Sequence, residues 1–171
     1  MLSWVLTVLL AAPLWAAEVA FIAKKSDGKL VELEPGGHFL HVAIRVGDQW
    51  LHAHTWRGVE LVDSIRDFGD EFVYMANPSV PEPGAEQVRA VLGKPFDMDF
   101  RWYEHGKTYC TRLIAELLDV KPRPMKFTGL YWRTIGVKPG HREPGLSPDE
   151  LFDELARRDF TPGGRCEDFL Q

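Results

Sequence analysis

The clearest hydrophobic pattern of the chain begins at Cys110. Aliphatic residues then recur at the spacing of one helix face, at Leu113, Ile114, Leu117 and Leu118. This periodicity predicts a buried helix with a cysteine at its N-terminus. The positive end of a helix dipole favours a thiolate, which is the form of cysteine that acts as a nucleophile. The pattern therefore points to a reactive Cys110.

A second pattern predicts a β-hairpin that carries three histidines. Alternating apolar residues flank a turn at Gly47, whose position suits a type II′ connection of two residues. That loop length would place His41, His52 and His54 on one face of the hairpin. A three-residue loop would put His41 on the opposite face, because a slip of one residue reverses the side chains. A catalytic grouping of the histidines requires the shorter loop.

The other apolar runs and breaker residues predict an α+β domain. Strands are expected over residues 19–22, 30–33, 38–46, 50–55, 56–62 and 72–75, and helices over 85–92 and 148–156. The prolines between residues 78 and 83 predict a loop, and Pro122 is expected to end the cysteine helix. Ser147 and Glu150 have the spacing of a helix capping box.

The first 17 residues have the pattern of an export signal. An apolar run from Val5 to Leu14 is followed by small residues at Ala16 and Ala17. The run is too short to cross a bilayer, and no later apolar stretch is long enough. We expect a signal peptide over residues 1–17, a single mature domain over residues 18–171, and a protein exported to the periplasm or secreted, with no transmembrane span.

Composition and charge narrow the class of partner. The chain has 171 residues and 45% hydrophobic composition, which suits one globular domain with its own core. The net charge is −5 and no block of basic residues occurs, so we expect no nucleic-acid partner. We expect a monomer.

The two cysteines of the chain allow an alternative to a reactive thiol. In an exported protein, Cys110 and Cys166 could form a disulfide. Cys166 lies in a polar segment, unlike the helix start at Cys110, which favours a free Cys110. A bridge would remove the nucleophile.

Four short motifs occur in a set order along the chain. They are His-Val-Ala-Ile from His41, Leu-His-Ala around His52, Gly-Lys-Pro-Phe-Asp from Gly93, and Tyr-Cys-Thr-Arg-Leu from Tyr109. The set resembles the permuted papain-like cysteine hydrolases of the YiiX/YaeF group, within the NlpC-type superfamily, and lecithin–retinol acyltransferase relatives share its order of histidine before cysteine. The resemblance covers roughly residues 19–155 and implies a papain-like α+β fold, in which an antiparallel sheet packs against the cysteine helix.

The resemblance implies roles for three residues. Cys110 would be the nucleophile, His41 the general base, and His52 the residue that orients the imidazole, with His54 a rival for that last role. The implied reaction is amide hydrolysis through a thioester acyl-enzyme. Arg112 stands where relatives carry a glutamate, a reversed charge that bears on substrate preference. Export suggests a cell-wall peptide of peptidoglycan as substrate, with an acyl amide or lipid ester as the alternative; no cofactor is expected.

Two interpretations from other classes stay open at this level. Three histidines on one hairpin face could bind zinc with an open position, in a zinc hydrolase or a periplasmic metal-binding protein. No HExxH motif or cysteine pair supports this. A non-catalytic binding domain with the same fold is also possible, because a fold does not fix a function.

Overall fold

The computed structural model describes residues 15–125 and 144–163. In chain order the strands are β1 (Ala16–Ala23), β2 (Lys25–Ser26), β3 (Lys29–Leu30), β4 (His41–Val46), β5 (Gln49–His54), β6 (Gly58–Val62), β7 (Glu71–Pro81), β8 (Arg123–Pro124), β9 (Pro144–Gly145) and β10 (Thr161–Pro162). The helices are α1 (Ala85–Val91), α2 (Cys110–Leu117) and α3 (Pro148–Arg157), with a short 3₁₀ helix at Arg66–Phe68.

The described strands form one main antiparallel sheet in the order β10-β7-β1-β4-β5-β6. Two small two-stranded sheets, β2–β3 and β8–β9, lie outside it. The expectation of an α+β fold with a mostly antiparallel sheet is confirmed. The cysteine helix α2 packs against β4 and β5, as expected.

The two faces of the sheet have separate apolar layers. Side chains alternate along a strand, so Val42 and Ile44 of β4 join the large core that contains α2 and α3. Ala43, between them, packs on the opposite face with Trp50 and Ile65. The sheet is therefore covered on both sides, and alternate residues of β4 join opposite apolar layers.

The β4–β5 hairpin has the shorter of the two loops considered. Val46 pairs with Gln49 and Ile44 pairs with Leu51, and Gly47 has a φ of +59°, as the first position of a type II′ turn requires. The two-residue connection is confirmed, and with it the placement of His41 and the β5 histidines on one face.

Several element boundaries differ from the prediction: the strand expected over 30–33 is reduced to Lys29–Leu30, and β7 and α2 end at other residues than expected. β7 continues through Pro78 to Pro81 instead of ending before the prolines. Pro78 fits here because the pairing of β7 with β1 jumps from Asn77 to Pro81, which leaves Pro78 opposite no β1 residue. Pro81, opposite Ala16, is the last residue of the strand. The cysteine helix ends at Leu117, well before Pro122.

The start of α3 matches its sequence signal. The Ser147 hydroxyl accepts a hydrogen bond from the Glu150 backbone N–H at 3.1 Å, and the Glu150 carboxylate accepts one from the Ser147 N–H at 3.0 Å. The capping box is confirmed.

The predicted export signal lies almost wholly outside the described residues. Ala16 and Ala17, expected to end it, belong to β1, where Ala17 pairs with Asn77. The signal peptide thus stays a prediction. None of the helices within residues 15–125 and 144–163 has the length and apolar character needed to cross a bilayer.

Candidate active site

A cleft of about 190 Å³ opens at the end of the sheet where β4 begins and β5 ends. The strand-end residues His41 and His54 line it, together with Cys110 at the start of α2. Most of the remaining lining is apolar, including Leu33, Leu40, Phe68, Phe96, Phe100 and Met125. His41 lies on one face of the sheet and α2 on the other, so the two predicted catalytic groups come to one cleft at the edge between these faces.

Cys110 is the first residue of α2 and is only 8% exposed. Among the described residues it is a free cysteine; Cys166 lies outside them. Burial raises the pKa of the thiol to about 11, although hydrogen bonds from the backbones of Thr111 and Val42 act in the opposite direction. Burial thus favours the neutral thiol at neutral pH, in the opposite direction to the thiolate expected from the helix N-terminus alone.

His41 and His52 form a hydrogen-bonded pair. The distance between His41 Nε2 and His52 Nδ1 is 3.0 Å, and the rings meet edge to face. Burial, with the neighbouring His52 and His54, lowers the pKa of His41 to about 3, and burial lowers that of His52 to about 4. Both imidazoles are neutral at neutral pH, so each pairing nitrogen is either a donor or an acceptor.

Acid should destabilise the protein through this pair. Unfolded histidines titrate near 6.5, and both folded pKa values lie below that, so between about pH 4 and 6.5 the unfolded chain binds more protons and stability falls as the pH falls. We expect the titration of His41 and His52 together to lower the free energy of unfolding by roughly 2–4 kcal/mol between pH 7 and about pH 5. Urea unfolding at both pH values measures this.

The matched variants for this measurement are His52→Gln and His105→Gln. His105 is exposed, so its replacement should leave the pH dependence unchanged, whereas His52→Gln should flatten it. Equal pH dependence in the two variants would show that the pair is not the acid-sensitive element.

His54 has a different set of contacts. Its Nδ1 accepts backbone hydrogen bonds from Trp56 and Arg57, both at 3.1 Å. It therefore closes the turn between β5 and β6. Although His54 lines the cleft, it is His52 that the structure hydrogen-bonds to His41.

Glu60 is a neighbour of this pair that the sequence did not single out. It lies opposite His52 in the β5–β6 ladder, and its Oε1 is 3.2 Å from His52 Nε2. Arg57 holds the same carboxylate through contacts of 2.6–2.9 Å. The proximity of Glu60 to His52 could be predicted only from the register of β5 and β6, because Glu60 is one of many charged residues in the sequence.

Arg112 supports the loop that precedes the cysteine. Its Nη1 donates to three backbone carbonyls, those of Arg101, Glu104 and Lys107, at 3.0, 2.9 and 3.2 Å. Its Nε donates to Glu116 at 2.7 Å, and the side chain is 9% exposed. The charge of Arg112, which the sequence related to substrate preference, is thus used in contacts within the fold.

Replacing Arg112 by alanine should lower the free energy of unfolding by roughly 2–4 kcal/mol, because three backbone carbonyls and the Glu116 carboxylate lose the donor groups of a nearly buried guanidinium. Arg112→Lys should recover little, because an ammonium group lacks the planar fork of donors. Urea denaturation measures both. Arg157→Ala is the matched control: Arg157 is exposed and paired only along its own helix, so its loss should cost under about 0.5 kcal/mol.

Other polar and aromatic residues near the sequence motifs have contacts that explain them without a catalytic role. Asp97 is fully buried and accepts the backbone N–H groups of Asp99 and Arg101, as expected for a residue that caps a turn. Tyr109 packs against Phe100 and Trp102. His38 and His105 are exposed, and His141 lies outside the described residues.

Comparison with known proteins gives one informative match. No protein-family model and no curated protein matches the sequence. Among solved structures, the metalloprotein YiiX from Escherichia coli O157:H7, of DUF1105, has a TM-score of 0.63 at 15% identity, over 88% of this chain and 96% of that one. The fold is YiiX-like. At this identity the similarity establishes the fold alone.

The three-histidine zinc site that the sequence left open can be compared with the structure. No cluster of three metal-ligating side chains occurs within the residues that the structure describes. His52 has one ring nitrogen against His41 and the other against Glu60, and His54 Nδ1 is occupied by backbone donors. The described residues therefore give no support to the alternative of a three-histidine zinc site.

Proposed function

We propose that this protein is a cysteine hydrolase in which Cys110 is the nucleophile, His41 the general base and His52 the residue that orients His41. The observation that carries the proposal is that Cys110 at the start of α2 and His41, which hydrogen-bonds to His52, line one cleft. The order of histidine strand before cysteine helix is that of the permuted papain-like hydrolases, which supports the same assignment.

The protonation states define the first step. Thiol and imidazole are both neutral at rest, so the proton leaves Cys110 for His41 as sulfur attacks the substrate carbonyl. The carbon–sulfur bond forms, the carbon–nitrogen bond of the amide breaks, and the imidazolium returns the proton to the leaving amine. Water then hydrolyses the thioester, with His41 again as the base.

The start of α2 supplies the electrostatic part of the mechanism. No side chain of the N-cap residue Tyr109 bonds the first turn, and no acidic residue lies in that turn. Backbone N–H groups there are oriented toward the thiol, and these groups suit a developing oxyanion.

The lining of the cleft favours one substrate class. Leucine, phenylalanine and methionine side chains surround the thiol, which suits an apolar acyl group that would form the thioester. An exported monomer with this cleft would act on an acyl amide or ester of the cell envelope. Cell-wall stem peptides, which are polar, are the second candidate.

A substrate screen tests the proposal. N-Octanoyl-p-nitroanilide and purified stem peptides would be incubated with the wild type and with Cys110→Ala. We expect release of p-nitroaniline by the wild type alone, with no effect of a metal chelator. Cleavage of stem peptides only would move the proposal to the second substrate class. Equal rates for wild type and Cys110→Ala, or no turnover of either substrate, would contradict it.

A further inference from the structure

A carboxylate and two imidazoles form a continuous row across three strands. Glu60 of β6 is 3.2 Å from His52 Nε2, and His52 Nδ1 is 3.0 Å from His41 Nε2 on β4. His52 and Glu60 are direct partners in the β5–β6 ladder, so the backbone register sets their separation. The row ends at the cleft that contains Cys110.

Glu60 is held as an ionised acceptor. Hydrogen bonds from Arg57 at 2.6–2.9 Å lower the pKa of the Glu60 carboxyl. An ionised carboxylate can only accept. The nitrogen of His52 that faces it therefore favours carrying a proton, because a lone pair in that position would face negative charge.

This preference extends along the row. His52 is neutral and fully buried, so a proton on its Nε2 leaves Nδ1 as an acceptor. His41 Nε2 then donates to that acceptor, and His41 Nδ1 carries the lone pair. A free Nδ1 is what a general base needs to take a proton.

We propose that Glu60 is a positioning residue that sets the tautomers of His52 and His41 and leaves His41 Nδ1 as the basic nitrogen. The inference rests on the proposed function for its catalytic consequence. Glu60 Oε1 lies 3.2 Å from His52 Nε2 but outside hydrogen-bond geometry, so Glu60 acts on the His52 proton through its charge, and within the described residues it is the carboxylate at this nitrogen.

Few groups around His52 could determine which of its ring nitrogens carries the proton. Phe68 covers its ring at a centroid distance of 4.4 Å, which excludes solvent from this side. The titratable and charged groups around it are His41 on β4, His54 on β5, and Glu60 and Arg57 at β6. Glu60 is the acidic member of this group.

The tautomers can be measured directly. Two-bond proton–nitrogen correlation spectra of the wild type at neutral pH should show the Nε2–H form for both His41 and His52. In Glu60→Ala, the His52 signals should move toward the Nδ1–H form or an exchange average. The Nδ1–H form of His52 in the wild type would overturn the inference, whether or not any variant folds.

Kinetics provide the second readout. Glu60→Ala should lower kcat by about 10–100-fold with little change in KM, as for other residues that orient a functional histidine. Glu71→Ala is the matched control, because Glu71 is an exposed glutamate ion-paired with Lys25, and it should keep wild-type kcat. An unchanged kcat in Glu60→Ala would overturn the positioning role.

The two proposals fail in different ways. Wild-type tautomers as expected, together with hydrolysis indifferent to Cys110→Ala, would overturn the proposed function and support the tautomer assignment. An Nδ1–H His52 together with hydrolysis that depends on Cys110 would overturn the role of Glu60 and leave the proposed function standing.

Discussion

Cys110→Ser should reduce acyl-amide hydrolysis by about 10⁴-fold or more, because it removes the atom that forms the covalent intermediate. Serine is close in size to cysteine, so the buried start of α2 should keep its packing. A hydroxyl is a much weaker acid and a much weaker nucleophile than a thiol, so transfer of its proton to His41 during attack is much less favourable. Initial rates with N-octanoyl-p-nitroanilide measure the effect.

The second cysteine of the chain is the matched control. Cys166→Ser removes the other thiol and any disulfide with Cys110, and it should retain wild-type activity. Loss of activity in Cys166→Ser that equals the loss in Cys110→Ser would contradict a role for Cys110 as a free nucleophile. Loss of stability alone in Cys166→Ser would indicate a bridge.

His41→Ala should lower kcat by about 10²–10⁴-fold, the contribution expected of a positioned general base. Without the imidazole, the thiol proton has no acceptor at the cleft, and the thiol pKa of about 11 leaves little thiolate at neutral pH. The loss should therefore shrink as the pH rises toward that value.

The pH dependence separates a base from a packing residue. His105→Ala, at an exposed position, should have the wild-type pH profile. A His41→Ala variant that folds, loses activity and keeps the same fractional loss at every pH would contradict the assignment of His41 as the base.

Local signals predicted much of the frame around the site. The spacing from Cys110 predicted α2, Gly47 predicted the two-residue turn, and Ser147 predicted the start of α3. Each of these features is determined by interactions among residues of one element or one turn, so a short stretch of sequence is enough to predict it. The hairpin register also predicted that the histidines share a face.

Features that depend on distant parts of the chain were not predicted. The protonated state of Cys110 follows from burial under other elements, which outweighs the local helix dipole. The structural contacts of Arg112 were not predicted, because its carbonyl partners belong to a loop of irregular shape. Glu60 gains its position from the β5–β6 register, and Pro78 joins a strand because of irregular pairing with β1. Tertiary context decided each case.

The most direct test of the nucleophile and base pair is capture of the acyl-enzyme. The protein would be mixed with p-nitrophenyl octanoate and quenched in acid, and the octanoyl adduct would be located by peptide mass spectrometry in wild type, Cys110→Ser and His41→Ala. We predict an adduct on Cys110 in the wild type, none in Cys110→Ser, and much slower formation in His41→Ala. An adduct on another residue, or equal rates of formation with and without His41, would contradict the account.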